Sequence, residues 1–386
     1  MDKLFLVALP YIMSNKGYNE FNRYYYLAGF VSIISLFGFN FSIKSFRIKN
    51  LLIISLVLIH SIVFSVLVSV FVGEGFNILI IAVYAFFASL ITIYQFEFLF
   101  NSQIKNYALS ILFTFIFDLL AVVITLLLTL NLFYTLAFTN AAAFLVIYLF
   151  VPKGLLYKTK DVYNFYAAGL SAFVINTVAV AVLQIGKFIA SENFSLEISN
   201  SFIFAMLLVS PMFYAGNIVE RVIYSLKIKS VSNMFLLILA LLALFLGYTV
   251  LLFGVIYLIP GLLPAIINYS VLKEMLLIIL GATAVFSALH FPLNGVLFKE
   301  LMVSVQKKLA ASYAGVIFIF AVLYYYFLMS KNESYLLLLA LIYSALFLIA
   351  GLKYVFVYKH KNLKSGKNVL LNNLGTVQTG TGNSEN

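Results

Sequence analysis

The chain has 386 residues, of which 64% are hydrophobic and 10% are charged, and its formal net charge is +11. A soluble domain carries about 25% charged residues, so this composition excludes a soluble globular fold of this length. In a membrane protein, the excess of lysine and arginine indicates basic loops beside anionic lipid rather than a nucleic-acid partner. The absence of cysteine excludes disulfide and thiolate chemistry.

Continuous apolar segments recur along the chain and predict an all-α, polytopic membrane protein with about twelve transmembrane helices. Lipid cannot satisfy backbone polar groups, and a β-barrel would show alternating rather than continuous apolar residues. The predicted spans are 4–13, 24–40, 51–72, 77–100, 108–130, 132–151, 163–190, 200–224, 233–257, 274–298, 309–329 and 335–357. The first is short, since ten residues of helix extend only about 15 Å. No cleavable signal peptide is expected, because no small-residue cleavage site follows it.

Lysine and arginine residues are divided unevenly between the two sides of this predicted bundle. Sixteen of the 24 lie in loops on one side, whereas Lys16, Arg23, Lys273 and Lys331 lie on the other. By the positive-inside rule the basic side is cytoplasmic, which predicts a multi-pass protein of the cytoplasmic (inner) membrane with its C-terminus in the cytoplasm. The N-terminus is expected there too if segment 4–13 crosses.

A basic loop divides the chain into two halves of similar size. We predict an N-terminal six-helix half at 1–151, a cytoplasmic linker at 152–162 and a C-terminal six-helix half at 163–357. The cytoplasmic tail at 358–386 is basic, and its polar composition from 371 predicts partial disorder. No loop is long enough to form an extramembrane catalytic domain.

Polar side chains inside the predicted spans are candidates for a substrate or ion cavity, because charge is costly in the bilayer. Asp118 lies at the centre of span five, where it could bind a proton, a cation or sugar hydroxyls, or only tie helices together. Asn176, Gln184 and Lys187 share one face of span seven. The lysine could contact a substrate phosphate as a point charge, or extend along the helix to the outer surface.

Span eight and two histidines give further candidates. Asn217 and Arg221 share a face of span eight, and Glu220 lies about 100° away on the same helix. These residues could line the cavity, or the two charges could pair with loop residues at the cytoplasmic interface. His60 and His290 have no partners at metal-ligand spacing, so we expect no metal site. His290 could be a structural residue or a protonation switch. The sequence has no phosphate-binding loop or nucleophile elbow, so we expect no cofactor and no catalytic residue.

Four segments resemble the polysaccharide (O-antigen type) flippases of the multidrug/oligosaccharidyl-lipid/polysaccharide exporter superfamily. The best is ALPYIMSNKGYNEFNRYYYLAGFVSIISLFGFNFSIKSFR, where the family's proline, glycine, aromatic and basic positions correspond to Pro10, Gly17, Phe21, Gly38 and Lys44. YQFEFLFNSQIKNYALSILFTFIFDLLAVV resembles the turn between helices four and five. ILGATAVFSALHFPLNGVLF and KKLAASYAGVIFIFAVLYYYFL are similar to helices ten and eleven.

The resemblance implies a transporter rather than an enzyme. Its substrate would be a polyprenyl-diphosphate-linked oligosaccharide for lipopolysaccharide or capsule synthesis. Its partners would be membrane lipids and other polysaccharide-assembly membrane proteins. The family's seventh helix often carries an early proline and a later Asp-Arg pair, where this chain has Ser171 and Gly186-Lys187. The alternatives are a membrane-embedded polysaccharide polymerase or glycosyltransferase, and a drug exporter of the same fold.

Overall fold

A computed structural model describes residues 4–39, 50–72, 77–101, 103–151, 162–225, 234–300 and 303–377. Within these ranges the chain is almost entirely helical and has no strand, which confirms the predicted all-α class. A 3₁₀ turn at Leu4–Val7 precedes α1, and another at Pro260–Leu262 precedes α11. The helices are α1 (Leu9–Ile12), α2 (Asn15–Leu36), α3 (Asn50–Val72), α4 (Ile78–Phe100), α5 (Ile104–Leu128), α6 (Leu132–Tyr148), α7 (Val162–Asn193), α8 (Leu196–Leu208), α9 (Ser210–Ser225), α10 (Met234–Leu258), α11 (Tyr269–Glu300), α12 (Val303–Met329) and α13 (Tyr335–Val377).

Eight spans in the described ranges are long and apolar enough to cross a membrane, with α8 and α9 together forming one of them. Their burial separates the periphery of the bundle from its centre. The most apolar part of α5 has a mean hydropathy of 2.8 and is 11% buried, whereas that of α11 has a mean hydropathy of 2.0 and is 67% buried. A helix whose exposed side is as apolar as that of α5 is stable only where that side faces lipid.

The first long helix begins earlier than the hydropathy predicted. α2 starts at Asn15 rather than at residue 24, because the Ser14 hydroxyl caps it by accepting a hydrogen bond from the Gly17 backbone N–H at 3.2 Å. Segment 4–13 does not cross: it forms only a 3₁₀ turn and one turn of α-helix. The Tyr11 hydroxyl donates to the Leu262 carbonyl at 2.7 Å, so this segment lies beside the loop after α10. The described residues up to 151 therefore hold five long helices, where the sequence predicted six spans.

Polar contacts bring together the segments that the charge count assigned to the outside. Asn193, at the end of α7, donates to the Phe327 carbonyl near the end of α12 at 2.9 Å. Asn268, before α11, donates to Glu197 in the first turn of α8 at 3.2 Å. We call this end of the bundle the outer end and the opposite end the inner end.

One helix carries the main contact between the two halves. α2 packs against α3 and α4 in the first half and against α7 and α8 in the second. At the inner end of this contact Gly38 has a φ of +71°, and a Cβ there would lie 2.1 Å from the Gly169 carbonyl oxygen. Only glycine fits both the left-handed backbone and this close approach.

The predicted C-terminal tail is partly helical, and the predicted linker cannot be described. The last helix continues to Val377, so 371–377 is helical where the composition predicted an unstructured tail. Residues 378–386 and the linker residues 152–161 lie outside the described residues.

Candidate functional site

A buried lysine lies at the junction of the two halves. Lys187 on α7 is 3% exposed, and its ammonium nitrogen lies 4.9 Å from the centre of the Tyr26 ring on α2. An ammonium at this distance from a tyrosine ring is attracted to the electron-rich face. The contact decides between the two interpretations of this residue: Lys187 packs into the interior of the bundle and does not extend to the outer surface.

Two buried amides lie beside this contact, one on each helix. Asn22, one turn before Tyr26, is 1% exposed, and Gln184, one turn before Lys187, is 4% exposed. Within the described residues, Asn22 Nδ2 and Gln184 Oε1 have no hydrogen-bond partner. A Cβ built at Gly29 would lie 3.6 Å from Gln184 Oε1, so this glycine lets α2 approach the amide. Buried polar groups without a hydrogen-bond partner are costly, which makes these two atoms candidates for contact with water or a ligand. We call Asn22, Tyr26, Gln184 and Lys187 the junction site.

The outer end of the same junction is closed by polar contacts. The Arg23 guanidinium on α2 forms a bidentate ion pair with Glu192 on α7. Asn19, one turn earlier, donates to the Ser191 carbonyl at 3.3 Å and accepts from the Ser199 hydroxyl at 2.8 Å. These contacts join α2 to both α7 and α8, and all of them would break if the halves separated at this end.

A second polar cluster lies inside the C-terminal half. Lys353 on α13 is fully buried, and its ammonium donates to Asn294 Oδ1 on α11 at 2.5 Å. Asn294 Nδ2 in turn donates to Glu220 on α9 at 3.0 Å. The His290 ring, 3% exposed and one turn from Asn294, lies with Nε2 3.4 Å from the same ammonium. We call these four residues the lysine cluster.

The lysine cluster adds contacts that the sequence did not show for two residues. Glu220, expected to line a cavity or to pair with loop charges, is linked through the Asn294 amide to Lys353 on another helix. His290 was treated as isolated, although Lys353 approaches it from α13. Sequence spacing did contain one signal, because His290 and Asn294 are four residues apart and so share a helix face.

Two other predicted residues lie on α5 and α9. Asp118 is 3% exposed on α5, a helix that packs mainly against α6 and α4. Asn217 is half-buried and donates to the Phe213 carbonyl of its own helix at 2.7 Å. The side chains of Asn176 and Arg221 lie outside the described residues. The shared cavity that the sequence predicted for all of these residues therefore stays a prediction.

Among the described residues there is no group of three or more histidine, aspartate or glutamate side chains that could hold a metal ion. Comparison with protein-family models, with curated proteins and with solved structures gave no match. The fold and the buried charges define the chain as an all-α, multi-pass membrane protein with ionisable groups in its interior.

Proposed function

We propose that this protein is a flippase of the cytoplasmic membrane, with a cytoplasmic C-terminus, that moves a polyprenyl-diphosphate-linked oligosaccharide across the bilayer by alternating access. The observation that carries this proposal is the junction site. A buried cation and two amides with free hydrogen-bonding atoms lie where the two halves meet. Such a surface has no role in lipid, and intramembrane ionisable groups commonly mark a transport pathway.

The chemistry of the junction site fits a head group that carries both phosphate and sugar. Lys187 supplies a point charge for a phosphate oxygen, and the amides of Asn22 and Gln184 can exchange hydrogen bonds with hydroxyls. The polyprenyl chain would stay in lipid, where it loses no apolar burial. No bond is made or broken in this process.

The outer polar contacts suit one state of an alternating-access cycle. The Arg23–Glu192 pair and the Asn19 contacts would hold the outer end closed while the head group enters from the inner end. Opening to the outside would then require these contacts to break, as in the rocking of two bundles about a central site.

The proposal is tested in cells that lack the protein. We expect loss of surface polysaccharide and accumulation of complete lipid-linked repeat units on the cytoplasmic leaflet, restored by the wild-type chain. Lys187→Met should fail to restore export at normal protein level. The matched control is Lys273→Met, since Lys273 also lies over a tyrosine ring, Tyr257 at 4.4 Å, but is exposed and far from the junction.

Two outcomes would refute the flippase. If cells lacking the protein fail to build the repeat unit at all, the polymerase or glycosyltransferase alternative is correct. If polysaccharide export is normal and only resistance to small apolar compounds falls, the protein is a drug exporter.

A further inference from the structure

The lysine cluster joins three helices of the C-terminal half through one asparagine. Asn294 on α11 accepts from Lys353 on α13 with its oxygen and donates to Glu220 on α9 with its nitrogen. A carboxylate and an ammonium are thus linked by a neutral amide within the membrane-spanning part of the bundle. Lys353 is completely enclosed, whereas Glu220 as a whole residue is half-buried.

The histidine contact fixes the hydrogens of the cluster. An ammonium group can only donate, so His290 Nε2 must be the acceptor in its contact with Lys353. A neutral ring in this tautomer carries its hydrogen on Nδ1. That atom is buried and has no partner within the described part of the chain. With lysine charged, glutamate ionised and histidine neutral, the cluster has no net charge.

Glycine on both helices allows α9 to lie close to α11 at this point. A Cβ at Gly216 would lie 2.1 Å from Phe291 Cδ2, and a Cβ at Gly295 would lie 3.0 Å from the Glu220 carbonyl oxygen. The two glycines lie on either side of the contact between Glu220 and Asn294. The hydrogen bond therefore depends on tight packing of these two helices.

α9 follows α8 after a single residue, and the two helices form one candidate membrane span with a proline near the boundary. α8 ends at Leu208, α9 begins at Ser210, and Pro211, which has no N–H to donate, is the second residue of α9. Since Pro211 removes one backbone hydrogen bond at this boundary, the sixteen residues of α9, which carry Glu220, can bend relative to α8 here. Transporters use interrupted membrane helices at their binding sites.

We propose that Glu220, Asn294, Lys353 and His290 form a proton-binding site whose occupancy controls the packing of α9 on α11. A proton from water adds to a Glu220 carboxylate oxygen and forms an O–H bond, and Lys353 keeps its charge. The cluster then carries one net positive charge, and Asn294 faces a neutral carboxyl in place of an anion. The charge-assisted hydrogen bond from Asn294 weakens and the ammonium loses its counter-charge, so α9 separates from α11 and water reaches Lys353.

The neighbouring buried side chains that could titrate are tyrosines with partners of their own. The Tyr313 hydroxyl on α12 donates to the Ile349 carbonyl at 2.6 Å, one turn from Lys353. The Tyr343 hydroxyl on α13 donates to the Ile279 carbonyl at 3.1 Å. Neither hydroxyl replaces Glu220 as the group that takes up the proton.

The direct test is infrared spectroscopy of the purified protein in lipid nanodiscs during a pH titration. We expect a protonated-carboxyl band that appears as the pH falls and is absent in Glu220→Gln. The control is Glu97→Gln, since Glu97 on α4 is another buried carboxylate, 2% exposed, and its loss should leave that band in place. In Lys353→Met the band should already be present at neutral pH, because the carboxylate has lost its counter-charge.

A second measurement follows the helix. The native chain has no cysteine, so spin labels can be placed at Val222 on α9 and Val285 on α11, which are 42% and 38% exposed. Glu220→Gln at neutral pH should reproduce the distance distribution of the wild type at low pH. If Glu220→Gln does not fold, the double variant Glu220→Gln/Lys353→Met can replace it, since it removes both charges. The protonated-carboxyl band should be absent from this variant too.

The proposal is overturned if no carboxyl band titrates or if the band persists in Glu220→Gln. It is also overturned if the distance distribution between the spin labels changes neither with pH nor in Glu220→Gln. None of these measurements uses a transported substrate, so they stand or fall separately from the flippase assignment.

Discussion

Removing only one charge of the lysine cluster should destabilise the protein far more than removing both. Lys353→Met removes the cation that Asn294 links to Glu220, so the Glu220 carboxylate must take up a proton or remain in the bundle without this counter-charge. Breaking a buried ion pair from one side costs about 3–5 kcal/mol, and replacing both partners with uncharged groups of similar size is often close to neutral. We therefore expect Glu220→Gln/Lys353→Met to lie within about 1 kcal/mol of the wild type. With about 3–5 kcal/mol for each single variant and at most about 1 kcal/mol for the double variant, the coupling between the two changes should be at least about 5 kcal/mol.

The assay is SDS-induced unfolding of the purified protein in mixed micelles, followed by far-UV circular dichroism because the chain has no tryptophan. The control cycle is Tyr335→Phe with Glu274→Gln, a hydrogen-bonded pair at 2.6 Å that is exposed at the outer end. Its coupling should be below about 1 kcal/mol, since solvent screens it. A coupling energy for Glu220 and Lys353 no larger than about 0.6 kcal/mol, the average for hydrogen bonds between membrane helices, would refute the reasoning.

Three further predictions follow from other parts of the molecule. Gly216→Ala should destabilise the protein by about 1–3 kcal/mol through overpacking, whereas Gly247→Ala, where a Cβ meets nothing within 4 Å, should be neutral or slightly stabilising in the same unfolding assay. Asp118→Asn should abolish polysaccharide export at a normal protein level if that carboxylate acts as a charge; normal export would show that it only bonds helices together. Single cysteines at positions 156 and 303 should react with an impermeant maleimide only after the cells are permeabilised, and labelling from outside would overturn the orientation.

The apolar segments predicted most of the long helices, because each must cover its backbone against lipid over a fixed thickness. The same criterion missed the start of α2, since Asn15–Arg23 is polar and was interpreted as a loop. The polar side chains at the start of α2 contact α7 and α8. A hydropathy average along the sequence carries no information about such contacts between helices. The serine cap at Ser14 was the available local signal.

The candidate sites were predictable only where one helix carried the pattern. Gln184 and Lys187 share a face of α7, and the structure places both at the junction site. The lysine cluster was not predictable in this way, because Lys353 is 59 residues from Asn294 and meets it only through the packing of α11 on α13. Asp118 shows the converse: its position within a span predicted its burial correctly, but the sequence did not show that α5 packs mainly against α6 and α4.

The junction site and the lysine cluster are connected through α7 and α13, and that contact is open to a direct test. Gly186, adjacent to Lys187, packs on α13, and a Cβ there would lie 2.5 Å from Ile342 Cδ1. Gly186→Ala should therefore cost about 1–3 kcal/mol in the SDS unfolding assay. Ile342→Val deletes the clashing methyl group, so the double variant should recover most of that loss. If it recovers nothing, α13 does not fix the position of α7 through this contact, and a shift at Lys353 has no packed route through this contact to Lys187.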